Sequence, residues 1–335
     1  MLRRRATLLA ISLLAAAAVP GAAVAAPRVV LLGATGGGAH TLAPGDFEDL
    51  RWAPDGTRVV GVRIPDDQDA GQTVVALAPG APPQTLALLP AALGTVRLSP
   101  DATALAAVSF DPTGPNARDY LGPVVIQAVG GAVRASGFAK VPPDGAGTVA
   151  WSPDGRLVGA ADLTAKGVEL TIVDAATGAP VRSSVRGAGP ATIDAGDWSP
   201  DGARIAFRTR GQATLKLFAV ATGSVRALPD APLSSWVWSP DGRALLGIRG
   251  RRIVTIDVAS GAQRTLARLR EEPVAVAWRP GRRQAAVLTR TRALLLSTTS
   301  GAVVRTLARL PAHTVPGVPA WSPDGSRVAL QLLDF

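Results

Sequence analysis

The chain has 335 residues, no cysteine, 47% hydrophobic and only 18% charged residues, and a formal net charge of +10. This excludes a disulfide framework, a thiol nucleophile and a charge-rich disordered chain, and leaves ample apolar content for a core. The 36 glycines and 28 prolines are spread along the whole length, as a fold with many tight turns requires, and the length fits one closed all-β domain.

Residues 1–25 read as an export signal. Arg3, Arg4 and Arg5 are followed by an apolar run from Leu8 to Val19, small residues at Ala23-Val24-Ala25, and Pro27. No later run is long and apolar enough for a spanning helix, so the mature chain is expected to be exported, periplasmic or secreted, without a transmembrane segment. Residues 26–335 then form the folded domain.

One motif recurs along that domain. It starts at Trp52 (Trp-Ala-Pro-Asp-Gly), Leu98 (Leu-Ser-Pro-Asp-Ala), Trp151, Trp198, Trp238 and Trp321 (each Trp-Ser-Pro-Asp-Gly), and at Trp278 in the decayed form Trp-Arg-Pro-Gly-Arg. A period of about 40 to 53 residues is that of a propeller blade. Pro presets the first turn position, Asp bonds its own backbone and Gly accepts a positive φ. A β run follows each turn, and a second turn signal comes about 20 residues later, at Ala176-Thr177-Gly178, Ala221-Thr222-Gly223, Ala259-Ser260-Gly261 and Thr299-Ser300-Gly301. Each period thus holds four short strands, a to d, and the expectation is an all-β, single closed propeller of seven four-stranded blades. The motif tryptophans Trp52, Trp151, Trp198, Trp238, Trp278 and Trp321 end strand a and are expected to pack between blades.

The Trp-Ser-Pro-Asp-Gly turn resembles the WD40-like PD40 repeat of the TolB-like β-propeller family, over residues 28–335. The resemblance implies a propeller that binds other proteins in the cell envelope. It leaves out the separate N-terminal α/β domain of TolB, for which this chain has no room.

The last motif begins at Trp321 and the chain stops at Phe335, so only strands a and b of that blade remain. Thr41-Leu42-Ala43 repeats a tripeptide also found at Thr85, Thr265 and Thr306, where it falls on strand d. Residues 28–43 are therefore expected to supply strands c and d of the last blade, which leaves no open edge.

The a–b and c–d turns share one face and are short and alike. The b–c and d–a connections share the other and differ from one another, as binding loops do. On that face lie Asp66, Asp67 and Asp69 in the first blade, Arg118, Asp119 and Tyr120 in the longest b–c loop, and an arc of Arg210, Arg251, Arg252, Arg290 and Arg292. These are the expected binding residues, with an acidic envelope protein as partner, a glycan as the alternative and nucleic acid excluded.

Catalytic chemistry is thin. There is no Gly-x-Ser-x-Gly elbow, and His40 and His313 fall at opposite ends of adjacent strands, about 17 Å apart. The segment Asp67-Gln68-Asp69-Ala70-Gly71 begins like a calcium loop but lacks the later Glu, so no metal, cofactor or catalytic residue is assigned. The reading is a non-catalytic binding or scaffolding propeller; a carbohydrate- or small-ligand-binding propeller is the alternative, ahead of an enzyme.

Overall fold

The computed structural model describes residues 26–66, 71–89, 93–111, 119–126, 133–136, 148–164, 167–186, 193–209, 214–228 and 232–334. Among them there is no helix, and the strands form seven antiparallel sheets. Six are four-stranded meanders of contiguous sequence, numbered here 1 to 6 after their motifs. The remaining sheet is composite. Its strand a comes in two pieces, Thr314–Pro316 and Ala320–Trp321, its strand b is Arg327–Asp334, and Arg28–Gly33 and Ala39–Pro44 complete it from the N-terminal side. Arg28–Gly33 pairs with Arg327–Asp334 in unbroken register from Arg28↔Leu332 to Gly33↔Arg327. The innermost strands are Asp46–Trp52, Leu93–Leu98, Thr148–Trp151, Ile193–Trp198, Ser235–Trp238, Pro273–Trp278 and Ala320–Trp321. Each packs against the next, and the last against the first, so they enclose a central channel.

The core lies in the seams between sheets rather than within any one of them. Leu170 and Ile172 of sheet 3 cluster with Trp198, Ile205, Phe207 and Phe218 of sheet 4, and Val29, Ala43 and Ala329 of the composite sheet with Phe47, Trp52 and Val59 of sheet 1. A sheet in the ring is covered on both faces, which is why strands such as Gln284–Thr289 read as continuous apolar runs.

The motif tryptophans do more than fill these seams. The indole N–H of Trp198 donates to Ala150 O at 3.1 Å, and that of Trp238 to Asp197 O at 2.9 Å. Trp52, Trp151 and Trp321 donate in the same way to Ala320 O, Arg97 O and Ala277 O. Each acceptor directly precedes the motif of the previous sheet, so the repeat stitches the ring with one kind of bond. Trp278, in the decayed motif, has no partner for its indole nitrogen among the described residues.

The rest of the motif builds the a–b turn. Ser199 Oγ donates to Asp201 Oδ1 at 2.5 Å and accepts from Arg204 N at 2.9 Å, while Asp201 Oδ1 accepts from Ala203 N at 3.0 Å. Hydrogen bonding from Ser199 holds the Asp201 carboxyl below the usual carboxylate range, and the same bond from Ser152 and Ser239 does so for Asp154 and Asp241. Adjacent turns also touch: Gly325 has φ 67°, and a Cβ there would lie 3.1 Å from Pro280 O. The tripeptide Thr-Leu-Ala marks a bulge in strand d. Register passes from Thr to Ala with the Leu left over, as at Thr41↔Val30 and Ala43↔Val29, and at Thr306↔Leu294 and Ala308↔Ala293. The extra leucine turns into a seam, where Leu307 is fully buried.

Candidate functional site

The two ends of the molecule differ in what their residues are engaged in. At the a–b end the turns are tied into themselves and to one another by the bonds just described. At the b–c and d–a end the exposed arginines gather on sheets 5 and 6. Arg251 lies in the two-residue turn between Ala244–Arg249 and Arg252–Asp257, and Arg252 opens strand c. Arg290 and Arg292 hold the corresponding places before and at the start of Arg292–Ser297, and all four side chains are exposed.

Arg292 is not a free charge, contrary to the arc expected from sequence. Its guanidinium pairs with Glu271 Oε1 at 2.7 Å, and Glu271 Oε2 also accepts from the hydroxyls of Thr289 at 2.7 Å and Thr291 at 2.5 Å. These bonds, led by the one from Thr291, hold the Glu271 carboxyl below its usual range. Glu271 belongs to the link that enters sheet 6, which no local pattern around Arg292 reveals.

Asp119 and Tyr120 also differ from expectation. They are not loop residues: they begin the strand Asp119–Ile126, paired with Asp111 and Phe110, because strand b of sheet 2 runs on to Asp111 and carries the pairing outward. Asp66 is exposed, just beyond Val59–Ile64. Asp67, Asp69, Arg118 and Arg210 lie outside the described residues. The structure thus brings together Arg251, Arg252, Arg290 and Arg292, and leaves Asp66 on a distant sheet.

A second charged region, in the channel, was missed by sequence reasoning. The residue before each motif lies on an innermost strand beside it. Ala150, Asp197, Val237, Ala277 and Ala320 are half-buried at this position, as is Arg97, and Arg51 is exposed. Three of the seven are therefore charged: Arg51, Arg97 and Asp197. Glu48 and Asp49 join them, carried on a β-bulge where the register of Asp46–Trp52 skips from Glu48 to Arg51. Asp49 has φ 48°, and its Oδ1 lies 3.3 Å from Arg51 Nε. Its Oδ2 accepts from the backbone N–H of Leu98.

Glu48 is only 9% exposed in its side chain, with Oε2 4.0 Å from Arg97 and without a hydrogen-bond partner among the described residues. Burial pushes its carboxyl up to about 7, against the pull of Arg97 and with a further push from Asp49. Burial likewise pushes Asp197 up to about 6, opposed first by Arg51. Asp197 keeps some contact with solvent while protein surrounds it, as expected of a group facing a narrow channel. A signal existed in the sequence: charged residues stand immediately before three of the repeated motifs.

Among the described residues no group of three or more His, Asp or Glu is placed to hold a metal ion, and no helix is long and apolar enough to cross a membrane. No protein-family model matches the chain, and no curated protein is similar to it. Solved structures are. A putative TolB from Agrobacterium tumefaciens is 18% identical, with a TM-score of 0.53, and the match covers 93% of this chain and 99% of that one. The Cps50 (Swd1) β-propeller domain of Myceliophteria thermophila is 15% identical, with a TM-score of 0.58, over 87% of this chain and 98% of that one. At these identities the likeness establishes the fold: an all-β propeller.

Proposed function

We propose that this chain is an exported, protein-binding propeller scaffold, with the composite sheet as the seventh blade, and that it meets its partner through the b–c and d–a end. The observation that carries this reading is the contrast between the ends. The motif Ser and Asp groups of the a–b turns are spent within those repeated turns, whereas Arg251 and Arg290 stand exposed on adjacent sheets at the end where the connections vary. An acidic protein surface is the complement, and a face of fixed positive charge steers its approach. The TolB likeness and residues 1–25 support placing that partner in the cell envelope.

The test is capture of a partner by crosslinking in the native envelope. Reversal of Arg251 and Arg290 to Glu is expected to weaken capture and flatten its salt dependence. Reversal of Arg156 and Arg243, exposed after a–b turns, leaves capture unchanged. Equal loss from both pairs would remove the docking face. N-terminal sequencing of the exported protein is expected to begin at Ala26; an intact Met1 terminus would end the export reading. The charged channel favours a second reading, a small ligand held at the channel mouth, for which a thermal shift with glycans or small amines is the check.

A further inference from the structure

We propose that sheets 5 and 6 carry, at their b–c end, a binding site for a linear polyanion bearing phosphate groups, distinct from any protein that the end engages. In sheet 5 strand b ends at Arg249, strand c begins at Arg252 and strand d, Gln263–Arg268, ends at Arg268. The register sets Arg249 opposite Arg252 and Arg252 opposite Arg268. Residues directly opposite project from the same face of a sheet, and adjacent strands lie about 4.8 Å apart. Three guanidinium side chains therefore rise from one strip about 10 Å wide. All three are exposed, and among the described residues none of them is in an ion pair. Sheet 6 repeats the device with Arg292 opposite Arg309, beside an open cavity of about 640 Å³ lined by Thr291, Arg292, Thr306, Arg309, Leu310 and Ala312.

Like charges set directly opposite each other destabilise a ladder, and in sheet 5 no carboxylate among the described residues offsets them. A ligand with matching negative charge reverses that penalty. Donor chemistry selects its class: each phosphate offers several oxygens to the planar guanidinium fork, and a linear chain of phosphates presents charge to every arginine of the strip. Glu271 fits the same scheme as an internal competitor, since its carboxylate already occupies Arg292.

The experiment is titration of the full chain with fluorescently labelled short-chain polyphosphate at physiological salt, followed by anisotropy. The parent is expected to bind. Arg252→Glu with Arg268→Glu, and separately Arg309→Glu, are expected to weaken binding by about tenfold or more, near 1.4 kcal/mol. Glu271→Gln is expected to tighten it by releasing Arg292. Melting curves of the charge-reversed chains should match the parent or lie above it, and Arg252→Gln with Arg268→Gln serves in their place if they fail to fold. No binding by the parent, or unchanged binding by the double variant, overturns the proposal. Tighter binding of poly-glutamate of equal charge also overturns it and assigns the strip to an acidic protein segment. Partner capture, read through Arg251 and Arg290, is scored separately, so either proposal can fail alone.

Discussion

The seam between sheets 1 and 2 and the seam between sheets 3 and 4 solve one problem in two ways. Both must satisfy backbone groups on the exposed inner edge of strand a. Between sheets 3 and 4, Trp198 fills the gap and its indole reaches across to Ala150 O. Between sheets 1 and 2 the motif begins with Leu98, which has no donor to offer, and the direction reverses: the carboxylate of Asp49 reaches forward to the N–H of Leu98. The turn that follows also departs from the repeat, with Ala102 at φ 57° where other turns carry Gly. The lesson is that an indole closes a seam with a neutral bond, whereas a carboxylate closes it with a charge. The second sets a carboxylate inside the seam itself, beside Glu48.

Removing a seam altogether has the largest expected effect. A chain beginning at residue 45 lacks both N-terminal strands and leaves one edge of Arg327–Asp334 unpaired, with the buried positions of Val29, Val30 and Leu32 empty. Loss of the cooperative melting transition is expected; a melting curve equal to the parent's would show that these strands do not close the ring. Next in size, Trp198→Ala is expected to destabilise by about 3–5 kcal/mol, the range for large aromatics removed from a core. Urea titration measures it, and a change below about 1 kcal/mol would deny the indole its place in the seam.

The carboxylate seam has its own signature. Glu48 titrates from 4.5 when unfolded to about 7 when folded. A raised carboxyl favours the folded state while protonated, so its contribution is complete below 4.5 and is lost as pH rises through about 7. The melting temperature of the parent should therefore fall across this window more steeply than that of Glu48→Gln, which keeps only the shallower decline from Asp197. Parallel curves would mean that Glu48 is solvated in the folded chain. The smallest effect isolates the indole bond. Trp198→Phe is expected to lose about 1 kcal/mol as one hydrogen bond is removed. Trp278→Phe, whose indole nitrogen has no partner among the described residues, is expected to lose less. Equal losses in the two variants would show that ring size rather than the bond decides.

Much of the fold was legible because its causes are local. Pro, Asp and Gly at fixed offsets dictate a turn wherever they occur, and the Thr-Leu-Ala bulge identified residues 28–43 as strands separated from their sheet by nearly the whole chain. The candidate sites were less legible. Arg251, Arg252, Arg290 and Arg292 could be assigned to one end from strand order alone, but the Glu271 clamp on Arg292 joins a link to a strand 21 residues away. Tyr120 was misplaced for the same kind of reason, since nothing near it shows how far its partner strand extends.

The repeat, its turns and the order of strands follow from backbone preferences acting over five or so residues and are written along the chain. The tertiary structure alone decided which charges meet. Glu48 reaches Arg97 only because a bulge redirects strand a, and Asp197 feels Arg51 only because closing the ring sets the inner strands of sheets 1 and 4 around one channel. Arg249, Arg252 and Arg268 form a strip only through register. Coulomb interactions depend on distance through space and on burial, and neither is written along the chain.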